Sequence, residues 1–524
     1  MKKLYSLVIT GILIYAVNPT SGQSNFGRQM LTNGPRPLFI ENSMSYSLSP
    51  SGNSEFKAFI FPKVSQASFK DTLPHPGKDT LPLPHKNYLR NDDPVYNKRY
   101  PLWIPILEVP LTNGLIWSYD RYVINASYAQ ISTTTVKDNF KNGWEWDTDD
   151  FPTNFSLHPY TGSLYFSAAR SNGYNFYQSA PFAVGGSLMW ELFMENTKPS
   201  YNDLINTTIS GIFLGEVLYR LSSTILDDRK TGGARVLREI MGTVIDPLRG
   251  FNRLLQGKMS RVVQGEIYQK EPVSLSVSVG AHQPNNGTNF GTGTVSPMLN
   301  LNFAYGDPFD TRYRKPYDYF RLRADLSFGS VNNIANNVIG DGFLFGGNID
   351  SSYKMDMLIG GFQHYDYWNT DSFEIGSIGF GGGAVSRLPV FKTANFQNEL
   401  HLAIVPLGAS NEKKIIAPTD SNPNFKNYTY SDGAEMKFLT ALNFKWGQIA
   451  AEYYFYWLHT YVGPPSDNII SILRPRISFK VYKILNIGYE YLWYYRNEHF
   501  PDADTRKVRT GEQRVFLLLH FENF

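Results

Sequence analysis

From Val273 onward the chain alternates with a period of two, and this limits what it can fold into more than any other feature. In "VSLSVSVG", Val273, Leu275, Val277 and Val279 alternate with Ser274, Ser276 and Ser278. In "FRLRADLSF", Phe320, Leu322, Ala324, Leu326 and Phe328 alternate with Arg321, Arg323, Asp325 and Ser327. Near the end Leu485, Ile487, Tyr489, Tyr491, Trp493 and Tyr495 stand against Asn486, Gly488, Glu490 and Arg496. Successive strand side chains point to opposite sides, so the pattern describes a sheet with one greasy, aromatic face and one polar face. About twelve such runs occur, each of roughly ten residues, the length a tilted strand needs to cross a bilayer.

The runs lie near 271–281, 296–305, 318–328, 340–349, 352–364, 372–384, 395–406, 433–445, 447–460, 467–481, 484–496 and 512–524. If the first begins in the periplasm, the odd-numbered connections face outside, and they include the long ones at 282–295, 407–432 and 497–511. The even-numbered connections at 350–351, 446 and 482–483 are tight, as periplasmic turns are. Segments 306–317 and 385–394 are longer than that rule likes, which leaves the strand count open by one pair. A soluble sandwich also alternates, but its strands run to about five or six residues. The aromatic outer faces and a chain ending in Phe524 favour the membrane barrel, a terminal Phe being similar to the signal read by the outer-membrane assembly machinery. Two irregularities stand out in the last strands: Glu522 where an apolar residue is expected, and Pro475, tolerable at a bulge.

Charge and cysteine usage remove several function classes. With 49 basic against 46 acidic residues and no long basic block, a nucleic-acid partner is not expected. The absence of cysteine excludes disulfides, thiolate metal sites, a catalytic Cys and a lipid-modified N-terminal Cys. At the N-terminus, Lys2 and Lys3 precede an apolar run from Leu4 to Val17 and then Thr20, Ser21 and Gly22, the layout of a secretory signal peptide over residues 1–22. Residues 23–100 are polar and proline-rich, with a near-repeat of "KDTLPHPG" and "KDTLPLPH" at 70–85, and read as an extended linker.

Between 101 and 265 the apolar residues recur three and four apart, in 111–132, 181–196, 201–223 and 233–245, and predict a helical domain. Ser200, with Asp203 three positions on, resembles a capping-box start. The run "HPYTGSLYFSAARSNG" at 158–173 reads as neither a clean strand nor a simple helix. Together with "NGWEWDTDDFPTNFSLHPY" upstream and "DPLRGFNRLL" downstream, the series through "YNDLINTTISGIFLGEVLYRLSS" resembles the domain of unknown function 3943 found in Gram-negative outer-membrane proteins. The resemblance covers roughly residues 105–260. It implies an outer-membrane location and names no reaction.

Chemistry therefore has to be read from the residues. His158, Glu191 and Glu195 form a candidate acid/base set, with Glu191 and Glu195 one helical turn apart. Arg170, Asp203, Glu216 and Arg220 are candidates for binding or structure: Glu216 with Arg220 is most simply an intrahelical ion pair, and Asp203 part of a helix start. Gly211 and Gly215 in "GIFLG" have the small-xxx-small spacing that lets helices approach. Packing outweighs catalysis in this reading. With one His and no Cys in the domain, no metal site is expected, nor any cofactor.

The expected fold is α+β: an N-terminal helical domain over 101–265 followed by a transmembrane antiparallel β-barrel of about twelve strands over 271–524. The helical domain is expected on the periplasmic side, closing or docking on the barrel mouth and engaging outer-membrane lipid or envelope partners. Two other classes are an envelope lipid hydrolase or transferase using His158 and a Glu, and a small-solute channel biased to anions by lumen-facing Arg321, Arg323, Arg474 and Arg476.

Overall fold

A computed structural model describes residues 95–522 apart from 148–149, 286, 312–313, 329–334, 350–354, 371–372, 392 and 413–427. The signal peptide, most of the linker and Phe524 lie outside the described residues. Seven α-helices come first: α1 (Trp103–Tyr119), α2 (Thr133–Lys141), α3 (His158–Ser171), α4 (Phe176–Phe193), α5 (Tyr201–Ile225), α6 (Gly232–Ile245) and α7 (Pro247–Leu255). Twelve strands follow: β1 (Val273–Pro284), β2 (Ser296–Tyr305), β3 (Phe320–Ser327), β4 (Ala335–Ile349), β5 (Asp356–Asn369), β6 (Phe373–Phe391), β7 (Ala394–Glu412), β8 (Thr429–Phe444), β9 (Gly447–Val462), β10 (Asp467–Tyr482), β11 (Leu485–Phe500) and β12 (Ala503–Glu522). They pair antiparallel in sequence order, and β12 closes on β1.

Each run expected from the alternation is a strand, and several are longer than expected. The segment 385–394 is not a loop. β6 and β7 continue through it as a hairpin in which Leu388 pairs Phe396 and Pro389 pairs Asn395. The other long connection, between Tyr305 and Phe320, is real and holds the helices, as shown below. Pro475 makes no bulge: the ladder from β10 to β11 skips Arg474 and Pro475 and resumes in the same register. Glu522 pairs Ser274, so it belongs to the polar register and not to the outer face.

Register identifies the two faces. Ile487 pairs Leu517 and Leu473 pairs Trp493, all exposed, so these side chains mark the outer wall. Residues of the opposite parity meet across the lumen: Arg323 of β3 forms an ion pair with Glu452 of β9, and Lys437 of β8 reaches Asp341 of β4 at 2.8 Å and Asp366 of β5 at 2.7 Å. Following parity from these, the outer register of the neighbouring strands runs Gly340–Tyr365, Tyr367–Gly376, Gly376–Ala409 and Ala409–Tyr430. A bulge between Val405 and Gly408 shifts the register by one residue, so that Leu407 and Ala409 face outward beyond it.

The helical domain packs on this outer face. The Phe213 ring of α5 sits where a Cβ on Gly340 would be, 2.3 Å away, and Phe155 fills the equivalent space over Gly376 at 2.2 Å. Phe151 stacks on Tyr367 with ring centres 5.5 Å apart, and Trp146 lies 5.0 Å from Tyr430. Gln363 donates to the Ile209 carbonyl at 3.0 Å, and the Tyr365 hydroxyl donates to the Phe155 carbonyl. At the other end of α5, Arg220 pairs with Asp318 at 3.0 Å and donates to the Pro316 carbonyl, both in the long β2–β3 connection. The expected position across the periplasmic mouth is therefore not what the structure has. α5 runs along the outside of the wall from the rim at Tyr430 to the rim at Val273 and Tyr305.

Two local expectations also change. The run at 158–173 is a regular helix, α3, over His158–Ser171, with Pro159 at its start, where its missing N–H costs nothing. The helix expected over 111–132 starts earlier and ends in a π turn, Asp120–Ile124, closed by Asn125 at φ 56°. Asn tolerates this left-handed conformation better than most side chains.

Candidate functional site

α3 and α5 cross at two glycines. A Cβ on Gly162 would lie 1.8 Å from the Thr207 carbonyl oxygen, and one on Gly211 would lie 2.6 Å from Gly162. This contact brings His158, at the start of α3, against the first two turns of α5. Its Nδ1 lies 3.1 Å from the Thr207 hydroxyl and its Nε2 lies 3.4 Å from the Asp203 carboxyl.

Behind Asp203 stands Asp147, which the sequence reading did not single out. Asn202 bridges the two carboxyls, donating to Asp147 at 2.8 Å and to Asp203 at 2.8 Å. Asn154 also donates to Asp147, at 3.0 Å, and Tyr430 of the barrel donates at 3.2 Å. The donors Asn154, Asn202 and Tyr430 come from three separate segments and have no spacing signature that a sequence reading could find.

The two glutamates of the predicted acid/base set take different positions. Glu191 accepts the Ser200 backbone N–H at 2.7 Å, while the Ser200 hydroxyl caps the Asp203 N–H at 3.3 Å. The capping box is thereby completed from another helix rather than by Asp203. Glu195 lies past the end of α4, where its carboxylate accepts from Trp190 at 2.5 Å and Thr197 at 3.1 Å. Of the predicted acid/base set, His158 meets Asp203, which the sequence offered only as part of a helix start, while Glu191 bonds the Ser200 N–H and Glu195 the Trp190 and Thr197 side chains.

A second buried cluster holds the remaining candidates. Glu216 accepts from Arg170 at 2.7 Å and from Arg220 at 2.7 Å, and Arg220 continues to Asp318. One carboxylate thus ties α3 to α5 and, through Arg220, ties both to the barrel. Arg170 and Arg249 also flank the Tyr219 ring, their guanidinium carbons 4.2 and 4.1 Å from its centre.

The four arginines expected to line the lumen lie on the lumen-facing register. Arg321 pairs with Glu399 at 2.7 Å, Arg323 with Glu452, and Arg474 with Glu490 at 2.9 Å. Arg476 stacks over Phe516 at 4.7 Å. Arg514 adds a link from β12 to Asp325 of β3 at 2.8 Å. Three of the four arginines therefore meet carboxylates, which removes the positive bias an anion path would need. Rings fill the lumen on both sides of this charged layer: Trp368, Tyr454, Tyr456 and Tyr494 on one, and Tyr319, Phe343 and Phe362 on the other.

Residues 143–248 match the family described as Domain of unknown function (DUF3943), so the match includes Asp147, His158, Arg170, Asp203, Glu216 and Arg220 and stops before the barrel. No curated protein matches the chain. Among solved structures, the NanC porin aligns at 9% identity over 46% of this chain and 98% of its own, with a TM-score of 0.26. The outer membrane channel DcaP of Acinetobacter baumannii aligns at 7% identity over 48% of this chain and 95% of its own, with a TM-score of 0.21. The Pseudomonas putida toluene transporter TodX aligns at 9% identity over 48% and 89%, with a TM-score of 0.20.

Proposed function

We propose that this chain is an outer-membrane protein whose sealed barrel anchors a helical domain that engages envelope lipid. The observation that carries this reading is the lumen: ion pairs join β3 to β7, β9 and β12, and β8 to β4 and β5, with rings above and below. Breaking such buried pairs costs about 3–5 kcal/mol each, so solute passage by simple side-chain rotation is unfavourable. The bare part of the outer wall, with Leu473, Trp493, Val515 and Leu517 exposed, suits hydrocarbon.

A second reading, lipid hydrolysis or transfer, is favoured by one observation. The His158 side chain keeps 13% of its surface exposed while Asp203 behind it is buried, and Leu157 and Tyr201 stand exposed beside it. An imidazole between a carboxyl group and a hydroxyl can accept and return a proton.

One pair of measurements separates the readings. In a planar bilayer the purified chain is expected to give no discrete conductance steps, and steps carried by anions would establish the channel instead. Envelope lipids are then compared in wild-type cells, a deletion strain and the deletion strain carrying His158→Ala at normal protein level. A lipid species that shifts on deletion and is restored by wild type but not by the variant would convert the binding role into a catalytic one.

A further inference from the structure

Three helices of this domain, α1, α6 and α7, bury polar side chains and turn apolar ones outward. In α6, Arg235, Glu239 and Gly242 are buried, whereas Leu237, Met241 and Val244 are exposed, Val244 by 67%. In α7, Arg249, Asn252 and Arg253 are buried and Phe251, Leu254 and Leu255 are exposed, Leu255 by 67%. In α1, Glu108, Thr112 and Asn113 are buried while Ile106, Leu107 and Leu111 face out. The inward polar groups are matched to one another. Glu108 accepts from Asn172 and Asn252 at 2.9 and 3.0 Å, and Asp228 pairs with Arg235, Arg253 and Arg261 at 3.0, 2.9 and 2.8 Å.

Water favours the opposite arrangement, since a water-facing helix turns its apolar stripe to the core. Hydrocarbon favours this one: polar groups must be satisfied within the protein, and apolar side chains can face out. The position of the domain gives the same answer. α5 has 25 residues, about 37 Å at the rise of an α-helix, and lies on the outside of the barrel wall from one rim to the other. If the barrel spans a bilayer with a hydrocarbon layer of about 30 Å, a helix so placed lies within that layer. The wall beneath it is built for protein rather than lipid, with Gln363 and Tyr365 directing their polar atoms into helix carbonyls.

We infer that the helical domain is embedded in the membrane beside the barrel, with the outward faces of α1, α6 and α7 in contact with lipid hydrocarbon. The bare barrel wall and these helix faces then form one continuous lipid-facing surface. This rests on the outer-membrane reading of the barrel.

The absence of cysteine makes a direct test simple. Single nitroxide labels are placed at Leu111→Cys, Leu237→Cys and Leu254→Cys on the helices, at Leu517→Cys on the bare barrel wall and at Thr288→Cys in the β1–β2 loop. The full chain is reconstituted in phospholipid nanodiscs, and relaxation of each label by oxygen, which concentrates in hydrocarbon, is compared with relaxation by a water-soluble nickel chelate. The helix labels are expected to match Leu517→Cys, with an oxygen-to-nickel ratio several-fold above that of Thr288→Cys. Helix labels that match Thr288→Cys while Leu517→Cys stays lipid-like would overturn the inference and leave the barrel reading standing. If Leu517→Cys also behaves like Thr288→Cys, the barrel reading falls and the inference with it. Labels reached by neither reagent would mean that protein covers these faces, which also overturns it.

Discussion

Glu216→Ala is expected to destabilise the helical domain by about 3–5 kcal/mol, the range for removing one partner of a buried ion pair. The side chain is fully buried and is shared by Arg170 and Arg220, so its loss leaves two guanidinium groups facing each other across a cavity. Arg220 retains Asp318, whereas Arg170 keeps only the Tyr174 carbonyl and its stacking on Tyr219. Glu216→Gln preserves one acceptor oxygen without the charge and should fall between wild type and Glu216→Ala. The measurement is thermal loss of helical circular dichroism in nanodiscs, alongside the gel mobility of the folded barrel. The helical signal should melt earlier while the barrel keeps its folded mobility, because no strand-to-strand bond involves Glu216. An unchanged helical melt would mean that this carboxylate does not join α3 to α5.

Gly162→Val is the second large effect. Ordinary overpacking costs about 1–3 kcal/mol because side chains can shift, but here the new Cβ would meet backbone, the Thr207 carbonyl oxygen at 1.8 Å. The two helices must separate, and with them His158 from Asp203 and Thr207. We expect a loss of at least about 3 kcal/mol, at the upper end for core overpacking, and a more exposed His158. Chemical modification of His158 by a histidine reagent, compared between wild type and variant, reads the opening directly. Gly185→Val serves as the control, since no atom beyond its own stretch of helix lies within 4 Å of a Cβ there, and it should leave the α3–α5 contact and His158 reactivity unchanged.

The barrel was legible in the sequence because every strand has one wall facing outward and one facing a packed polar lumen, and a period of two records both. The β6–β7 hairpin escaped because Pro389 and the run around it read as loop, although Pro389 pairs Asn395 in the ladder. The ion pair of Glu216 with Arg220 was legible at a spacing of four, while Arg170 and Asp318 were not, lying 46 and 98 residues from their partners. The position of the helical domain was misread for a more general reason. A helical period of 3.6 shows that a helix has two faces but not which one is turned inward, and here the polar face is inside. A signal did exist on the barrel side. Gly340 and Gly376 stand in the outer register without a side chain, and strand glycines mark places where another group approaches closely.

The placement of α5 on the outside of the barrel wall is the central claim, and photo-crosslinking tests it most directly. Phe213 is replaced by p-benzoylphenylalanine in the full chain, the protein is irradiated in the membrane, and the adducts are mapped by mass spectrometry. Adducts are expected on the outward-facing neighbours Gly340, Tyr317 and Tyr365. Adducts on the lumen-facing Asp341 or His364, or none on any strand, would contradict the account.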